Sequence, residues 1–183
     1  MIYDLDKEYS SIMADATLSS VDYALSTKIM SIPTNDDWLN VLTKICFIDS
    51  LLSTNLKKQN KKITMVSLAM KIVEFNKEHN LDERIAKGDL DVVDELAHIC
   101  EGVCLLSFAS KYVCYHNNFA YGRDDYYIVD TVVSKAISCH SRKYKDYHEK
   151  MEQVAKNCGV KSVNNYRRKL DRVLWWTYKN DKE

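Results

Sequence analysis

Residues 108–137 read FASKYVCYH (108–116), NNFAYGRDDY (117–126) and YIVDTVVSKAI (127–137). The apolar spacing predicts a helix from about Ala109 to Asn117, and the turn-forming residues after it predict a loop. Tyr126 to Val129 is a short apolar run that we expect to be extended. Asp130 is a residue type that caps helix N-termini, so a further helix is expected from there to about Cys139.

The rest of the chain has the same helical character. The 183 residues include only 4 glycines and 1 proline, whereas a β-sandwich or barrel needs many such residues for its turns. Apolar residues recur at helical spacing through residues 18–29, 38–52 and 65–73, and two more helices are expected at 144–157 and 162–179. We therefore predict an all-α fold, a compact bundle of about nine or ten helices. Residues 1–183 would form a single helical domain with 102–139 as its motif segment.

The composition limits the classes of function. Lys+Arg and Asp+Glu balance at 26 each, which disfavours a protein that grips nucleic acid over its whole surface. Residues 141–179 nevertheless carry eleven bases and four acids, as in a polyanion-binding face or an ordinary solvated helical surface. No run of 18 apolar residues predicts a membrane span, and the acidic N-terminus does not look like a secretory signal. We expect a cytoplasmic protein without a membrane partner, whose six cysteines are free thiols.

Lys111 and Asp130 are 19 residues apart, each near the start of a predicted helix. In this context the segment resembles the helix-hairpin-helix DNA glycosylase superfamily, most closely its 8-oxoguanine glycosylase branch. The resemblance implies that Lys111, just after the hairpin, and Asp130, in Ile128-Val129-Asp130, form the catalytic pair. Its detailed part covers about 30 residues, and a looser helical likeness runs from Trp38 to Tyr178. It implies a compact form without an N-terminal β-domain. No cysteine spacing fits the iron–sulfur cluster of some relatives, so no metal or other cofactor is expected.

The chemistry of base removal gives this pairing a reason. A neutral amine can attack the sugar C1′ and form a Schiff base, but lysine has a solution pKa of about 10.4 that burial or a helix N-terminus must lower. A neighbouring carboxylate can stabilise the positively charged sugar and relay protons. The target base must first leave the duplex. These requirements assign Lys111 as nucleophile and Asp130 as its electrostatic and proton partner.

The resemblance also suggests where DNA would bind. The hairpin matches Leu105–Ala109, so Ser107, Ala109 and Ser110 are expected beside a phosphate at a helix N-terminus. Basic residues elsewhere are further candidates for DNA contacts: Lys57, Lys58, Lys135, Arg167 and Arg168. The final helix also carries Trp175 and Trp176, which would either stack on nucleotides or fill the core.

Two other interpretations remain open at this point. The usual hairpin is glycine-rich, whereas LLSFA (105–109) contains neither Gly nor Pro. The chain is therefore compatible with a catalytically inactive member of the same fold that acts as a nucleic-acid- or protein-interaction module. It is also compatible with an unrelated bundle in which Lys111 is a surface charge and Asp130 only a helix cap. For an enzyme, DNA repair and defence against modified phage DNA fit equally well.

Overall fold

A computed structural model describes residues 4–56 and 63–180. These residues contain no strand, and the predicted all-α bundle is confirmed. Ten helices lie within them: α1 (Leu5–Met13), α2 (Ala16–Ser31), α3 (Trp38–Leu52), α4 (Met65–His79), α5 (Leu81–Lys87), α6 (Asp91–Ala97), α7 (Leu106–Tyr121), α8 (Thr131–Ala136), α9 (Tyr144–Cys158) and α10 (Tyr166–Asn180). None of these helices is long and apolar enough to cross a membrane.

Side-chain caps explain where several helices begin. Asp15 accepts hydrogen bonds from two amides of the first turn of α2, and Asp37 accepts one from Asn40 N at the start of α3. These bonds satisfy amides that have no partner within the helix. Gly88 ends α5 with φ +77°, and a Cβ there would lie 2.9 Å from the Asp125 Cγ atom. Both its backbone angle and its surroundings therefore require glycine.

The apolar side chains form two core clusters. The larger lies among α2 to α7 and includes Leu25, Ile45, Leu96 and Phe108. The smaller joins α1 to α8, α9 and α10. Val129 packs against both clusters. The segment before α8 therefore lies at the junction of the two halves of the core.

Residues 126–129 cross this junction without helix or strand structure. Two buried tyrosines of α9 provide the hydrogen bonds that a neighbouring strand would otherwise give to this backbone. The Tyr144 hydroxyl accepts a hydrogen bond from Tyr127 N and donates one to Tyr127 O, and the Tyr147 hydroxyl donates to Ile128 O. Buried backbone groups need such partners. The bonds fix the path of the chain up to Asp130.

Candidate active site

A pocket of about 330 Å³ lies among α2, α3, α7 and α10, and both Lys111 and Asp130 line it. This volume is near the lower end of the range of roughly 300–1,000 Å³ that is typical of ligand sites. The largely apolar part of the wall consists of Leu18, Val21, Leu51, Leu52, Ile128, Tyr115 and Trp175. The charged part consists of Lys111, Asp130, Arg168, Asp171, Arg172 and Lys179. Cations thus outnumber carboxyl groups in the wall.

Lys111 lies in the second turn of α7 and is only 7% exposed. Its Nζ atom donates a hydrogen bond of 3.0 Å to the carbonyl oxygen of Leu52, the last residue of α3. Burial lowers the pKa of Lys111, while Asp130, Asp171 and Asp49 act in the opposite direction. The amine is therefore easier to deprotonate than a lysine in water.

Asp130 is the N-cap of α8, as the sequence predicts. Its Oδ1 atom accepts a hydrogen bond of 2.8 Å from Val132 N. The side chain is partly exposed and lines the pocket. The two residues singled out from the sequence thus lie on one pocket, Lys111 from α7 and Asp130 from the start of α8.

Asp171 of α10 is a pocket residue that the sequence did not suggest. It is 8% exposed, and its Oδ1 atom has no hydrogen-bond partner in the described part of the chain. Burial raises the pKa of Asp171 to about 7, and the charge of Asp130 adds to this effect. A buried carboxyl oxygen without a partner is costly and suits a site that receives a hydrogen-bond donor from a ligand. The only sequence feature that could have indicated Asp171 is its position as a single acid among the bases of YRRKLDR (166–172).

The same stretch of α10 is tied to α2 by charge. Arg168 and Arg172 each donate a hydrogen bond of 2.7 Å to the Oδ1 atom of Asp22. The Arg168 guanidinium also lies 4.3 Å from the centre of the Tyr115 ring, within the range of a cation–π contact. These contacts hold α2 against α10, and both helices form part of the pocket wall. They also leave more positive than negative charge around it.

Trp175 adds an aromatic face to the pocket wall. The Lys179 amine lies 4.2 Å from its ring centre. An indole beside basic groups is a combination that binds nucleobases by stacking. Of the two tryptophans considered from the sequence, only Trp175 lines this pocket, although both pack against the smaller core cluster.

The hairpin predicted at Leu105–Ala109 is wrong. Helix α7 begins at Leu106, and the connection from α6 is residues 98–105. Ala109 N donates to Leu105 O, and the Ser110 hydroxyl is buried and donates to Ser107 O. The predicted phosphate contacts at Ala109 and Ser110 are therefore wrong as well, because these groups bond within the protein. Ser107 is partly buried inside the first turn.

Two of the other predicted DNA contacts have partners inside the protein. Arg167 donates to Glu152 and to Asp124 O, and Arg168 is only 8% exposed. We correct Arg167 to a structural residue and Arg168 to a residue of the pocket wall. Lys135 is exposed in the last turn of α8 and stays a prediction. Lys57 and Lys58 lie outside the described residues.

A second buried polar cluster lies between α3 and α7, away from the pocket. Lys44 is 1% exposed and donates to Thr34 O and to the side chain of Asn35, which also accepts from the Tyr112 hydroxyl. Burial lowers the pKa of Lys44 to about 8. Asn35 in turn donates to Asp82. Each group has partners, so we interpret the cluster as a polar part of the core.

Groups of His, Cys, Asp and Glu that would suit a metal ion do not occur in residues 4–56 and 63–180. The six cysteines, all within these ranges, are free thiols, as expected. The pocket combines a buried amine, two carboxyl groups and an aromatic wall. Such a set can support attack by nitrogen on an electrophilic carbon with proton transfer to a nearby carboxylate.

Comparison with known proteins gives a family and no closer relative. No curated protein and no solved structure matches the chain. Residues 4–121 match the family described as HI_0787_N, N-terminal domain. The match covers more than half of the chain, including Lys111, and ends before Asp130 and Asp171. The chain belongs to the HI_0787_N N-terminal domain family.

Proposed function

We propose that the protein is a DNA glycosylase-like enzyme that removes a modified or damaged base, with Lys111 as nucleophile and Asp130 as its partner. One observation carries this proposal: the buried Lys111 amine and the Asp130 carboxylate line the same pocket. The lowered pKa of Lys111 supports it, because only the neutral amine can attack carbon. The exposed cation Lys179 in the pocket wall supports a phosphate-bearing substrate.

The reaction would proceed as follows. The neutral Lys111 amine attacks C1′ as the bond from C1′ to the base breaks, and the base leaves with the bonding electron pair and gains a proton. Asp130 stabilises the positive charge that develops on the sugar. The bond from C1′ to the ring oxygen then breaks, the ring oxygen takes up a proton that the attached nitrogen loses, and a protonated Schiff base remains between Lys111 and C1′. This intermediate is reducible to a stable covalent bond.

Borohydride trapping tests the proposal. Wild-type protein is incubated with duplexes that contain an abasic site or an oxidised base, and crosslinked DNA is measured. We expect a crosslink in the wild type, none in Lys111→Gln, and wild-type yield in Lys150→Gln, which removes an exposed lysine of α9. Asp130→Asn keeps a helix cap and should lower the yield. A wild type that never crosslinks would defeat the enzymatic proposal.

A catalytically inactive interaction module is the second candidate. It is favoured by the internal bonds of Ala109, Ser110 and Arg167, which remove predicted contacts to DNA. For such a protein, wild type and Lys111→Gln would bind duplex DNA alike, and neither would crosslink. The trapping experiment therefore separates the two candidates.

A further inference from the structure

The C-terminal turn of α3 lies directly against the proposed nucleophile. Leu52 is the last residue of α3, and its carbonyl oxygen accepts the 3.0 Å hydrogen bond from the Lys111 amine. Carbonyl groups at a helix C-terminus lack helical partners and carry the negative end of the helix dipole. The position of this turn thus sets both the place and the charge environment of the amine.

Asp49 fixes the turn. Its Oδ1 atom accepts hydrogen bonds from Leu56 N, at 3.0 Å, and from the Thr54 hydroxyl. Ser53, which lies between Leu52 and Thr54, has a left-handed backbone with φ 51°. A non-glycine residue in that conformation needs support from its surroundings. The carboxylate of Asp49 supplies it from one turn earlier in α3.

We propose that Asp49 is a positioning residue for Lys111: by closing the C-terminal turn of α3, it holds the Leu52 carbonyl against the amine and places a negative charge near it. The catalytic role of Asp49 rests on the proposed function. Its effect on the position of the Lys111 amine does not, and can be measured on the protein without DNA. Asp49 itself does not line the pocket.

Other charged groups around the amine must be considered with Asp49. Asp130 faces it from the start of α8 and Asp171 from α10, and both favour the protonated form, as Asp49 does. Three cations line the same pocket, and positive charge near an amine disfavours its protonated form: Arg168, Arg172 and Lys179. Asp49 differs from these groups because it also bonds to the turn that contacts Lys111. A change at Asp49 therefore alters position as well as charge.

Two measurements on three variants test the proposal. The first is reductive methylation of Lys111 by formaldehyde and cyanoborohydride as a function of pH, measured by mass spectrometry, which requires no DNA. The second is borohydride trapping on an abasic duplex. Asp49→Ala removes the acceptor and the charge, Asp49→Asn keeps an acceptor for Leu56 N, and Asp37→Ala removes the cap at the other end of α3.

In Asp49→Ala we expect methylation of Lys111 at lower pH, because the amine loses its acceptor and a nearby negative charge. Trapping should fall about tenfold or more, because the amine is no longer held in place. Asp49→Asn should shift methylation in the same direction while trapping stays within about twofold, and Asp37→Ala should change neither.

An Asp49→Ala variant with the wild-type methylation profile would overturn the proposal. Where that variant does not fold, Asp49→Asn decides alone, and a wild-type profile in it overturns the proposal. Where wild-type protein does not trap DNA, the proposed function fails, and the methylation profiles still decide the role of Asp49.

Discussion

The Ser110 hydroxyl accepts a hydrogen bond of 2.9 Å from the backbone N–H of Val129. The residue that follows each partner lines the pocket, Lys111 after Ser110 and Asp130 after Val129. The bond spans 19 positions, as does the spacing between the two pocket residues. It therefore explains how the Lys111–Asp130 spacing in the sequence becomes proximity in the fold.

Ser110→Ala should weaken both the fold and the site. The change leaves the Val129 amide, which is partly buried, without its acceptor, and this costs about 1–3 kcal/mol. We expect a lower free energy of unfolding in urea and a reduced yield of borohydride trapping, because Asp130 is less firmly placed. Ser107→Ala is the control, since the Ser107 side chain takes part in neither bond. Equal loss in both variants would show that the Ser110–Val129 bond does not matter.

Asp171→Asn should make the protein more stable above neutral pH. Burial raises the pKa of Asp171 to about 7, whereas an aspartate in an unfolded chain has a pKa of about 3.9. Between pH 4 and pH 7 the unfolded chain ionises this carboxyl and the folded chain does not, so stability falls as pH rises through that window. At about 1.4 kcal/mol for each unit of pKa shift, the cost above pH 7 is on the order of 4 kcal/mol.

Thermal unfolding at several pH values checks this expectation. The melting temperature of Asp171→Asn should exceed that of the wild type above pH 7, and the difference should shrink as the pH falls toward 4. A difference that is constant with pH would show that Asp171 does not titrate in this window. Glu149→Asn, at an exposed acid of α9, is the control and should show no such dependence.

Asp22→Asn should destabilise the contact between α2 and α10. Its carboxylate receives both Arg168 and Arg172, so the change leaves a buried guanidinium without an ionic partner. Removing one partner of a buried pair costs about 3 kcal/mol. Asp6→Asn, which breaks an exposed pair with Lys169, should cost less than about 1 kcal/mol. Chemical unfolding compares the two variants, and equal losses would contradict the role of Asp22.

The sequence predicted those parts of the fold that depend on local periodicity. The stripes in 18–29, 38–52 and 65–73 lie in α2, α3 and α4 because one face of each helix packs into the core. It did not indicate α1, because LDKEYSSIM (5–13) places only Leu5 and Ile12 in the core. It also placed the start of α7 about three residues too late. No capping side chain marks that start, since Leu105 makes no side-chain cap.

The candidate site likewise has residues that the local sequence predicted and residues that it did not. Lys111 and Asp130 were recognisable because residue type, spacing and helical context occur within one segment. Asp171 was not recognisable, because the pocket residues Asp130 and Lys111 that act on its carboxyl group lie 41 and 60 positions earlier in the sequence. Likewise, Arg168 was predicted to contact DNA, whereas its partner Asp22 lies 146 positions away. Charge pairs over such separations leave no local pattern in a sequence.

Trp175→Ala should weaken DNA binding while Trp176→Ala should not. Trp175 lines the pocket and Trp176 does not, although both pack against the smaller core cluster. Stacking of one base on an aromatic side chain contributes about 1–3 kcal/mol, which corresponds to a loss of roughly fivefold to 150-fold in affinity. Trp175→Phe keeps an aromatic face and should lose less than Trp175→Ala.

Fluorescence anisotropy with a duplex that contains a stable abasic analogue measures this effect. All three tryptophan variants are made in the Lys111→Gln background, so that covalent chemistry does not obscure binding. The melting temperature of each variant is measured alongside, because both rings pack in part against the protein. Weakening that follows the melting temperatures would indicate a loss of folding. Weakening in Trp175→Ala that is smaller in Trp175→Phe and absent in Trp176→Ala, at matched stability, would support stacking of a base on Trp175.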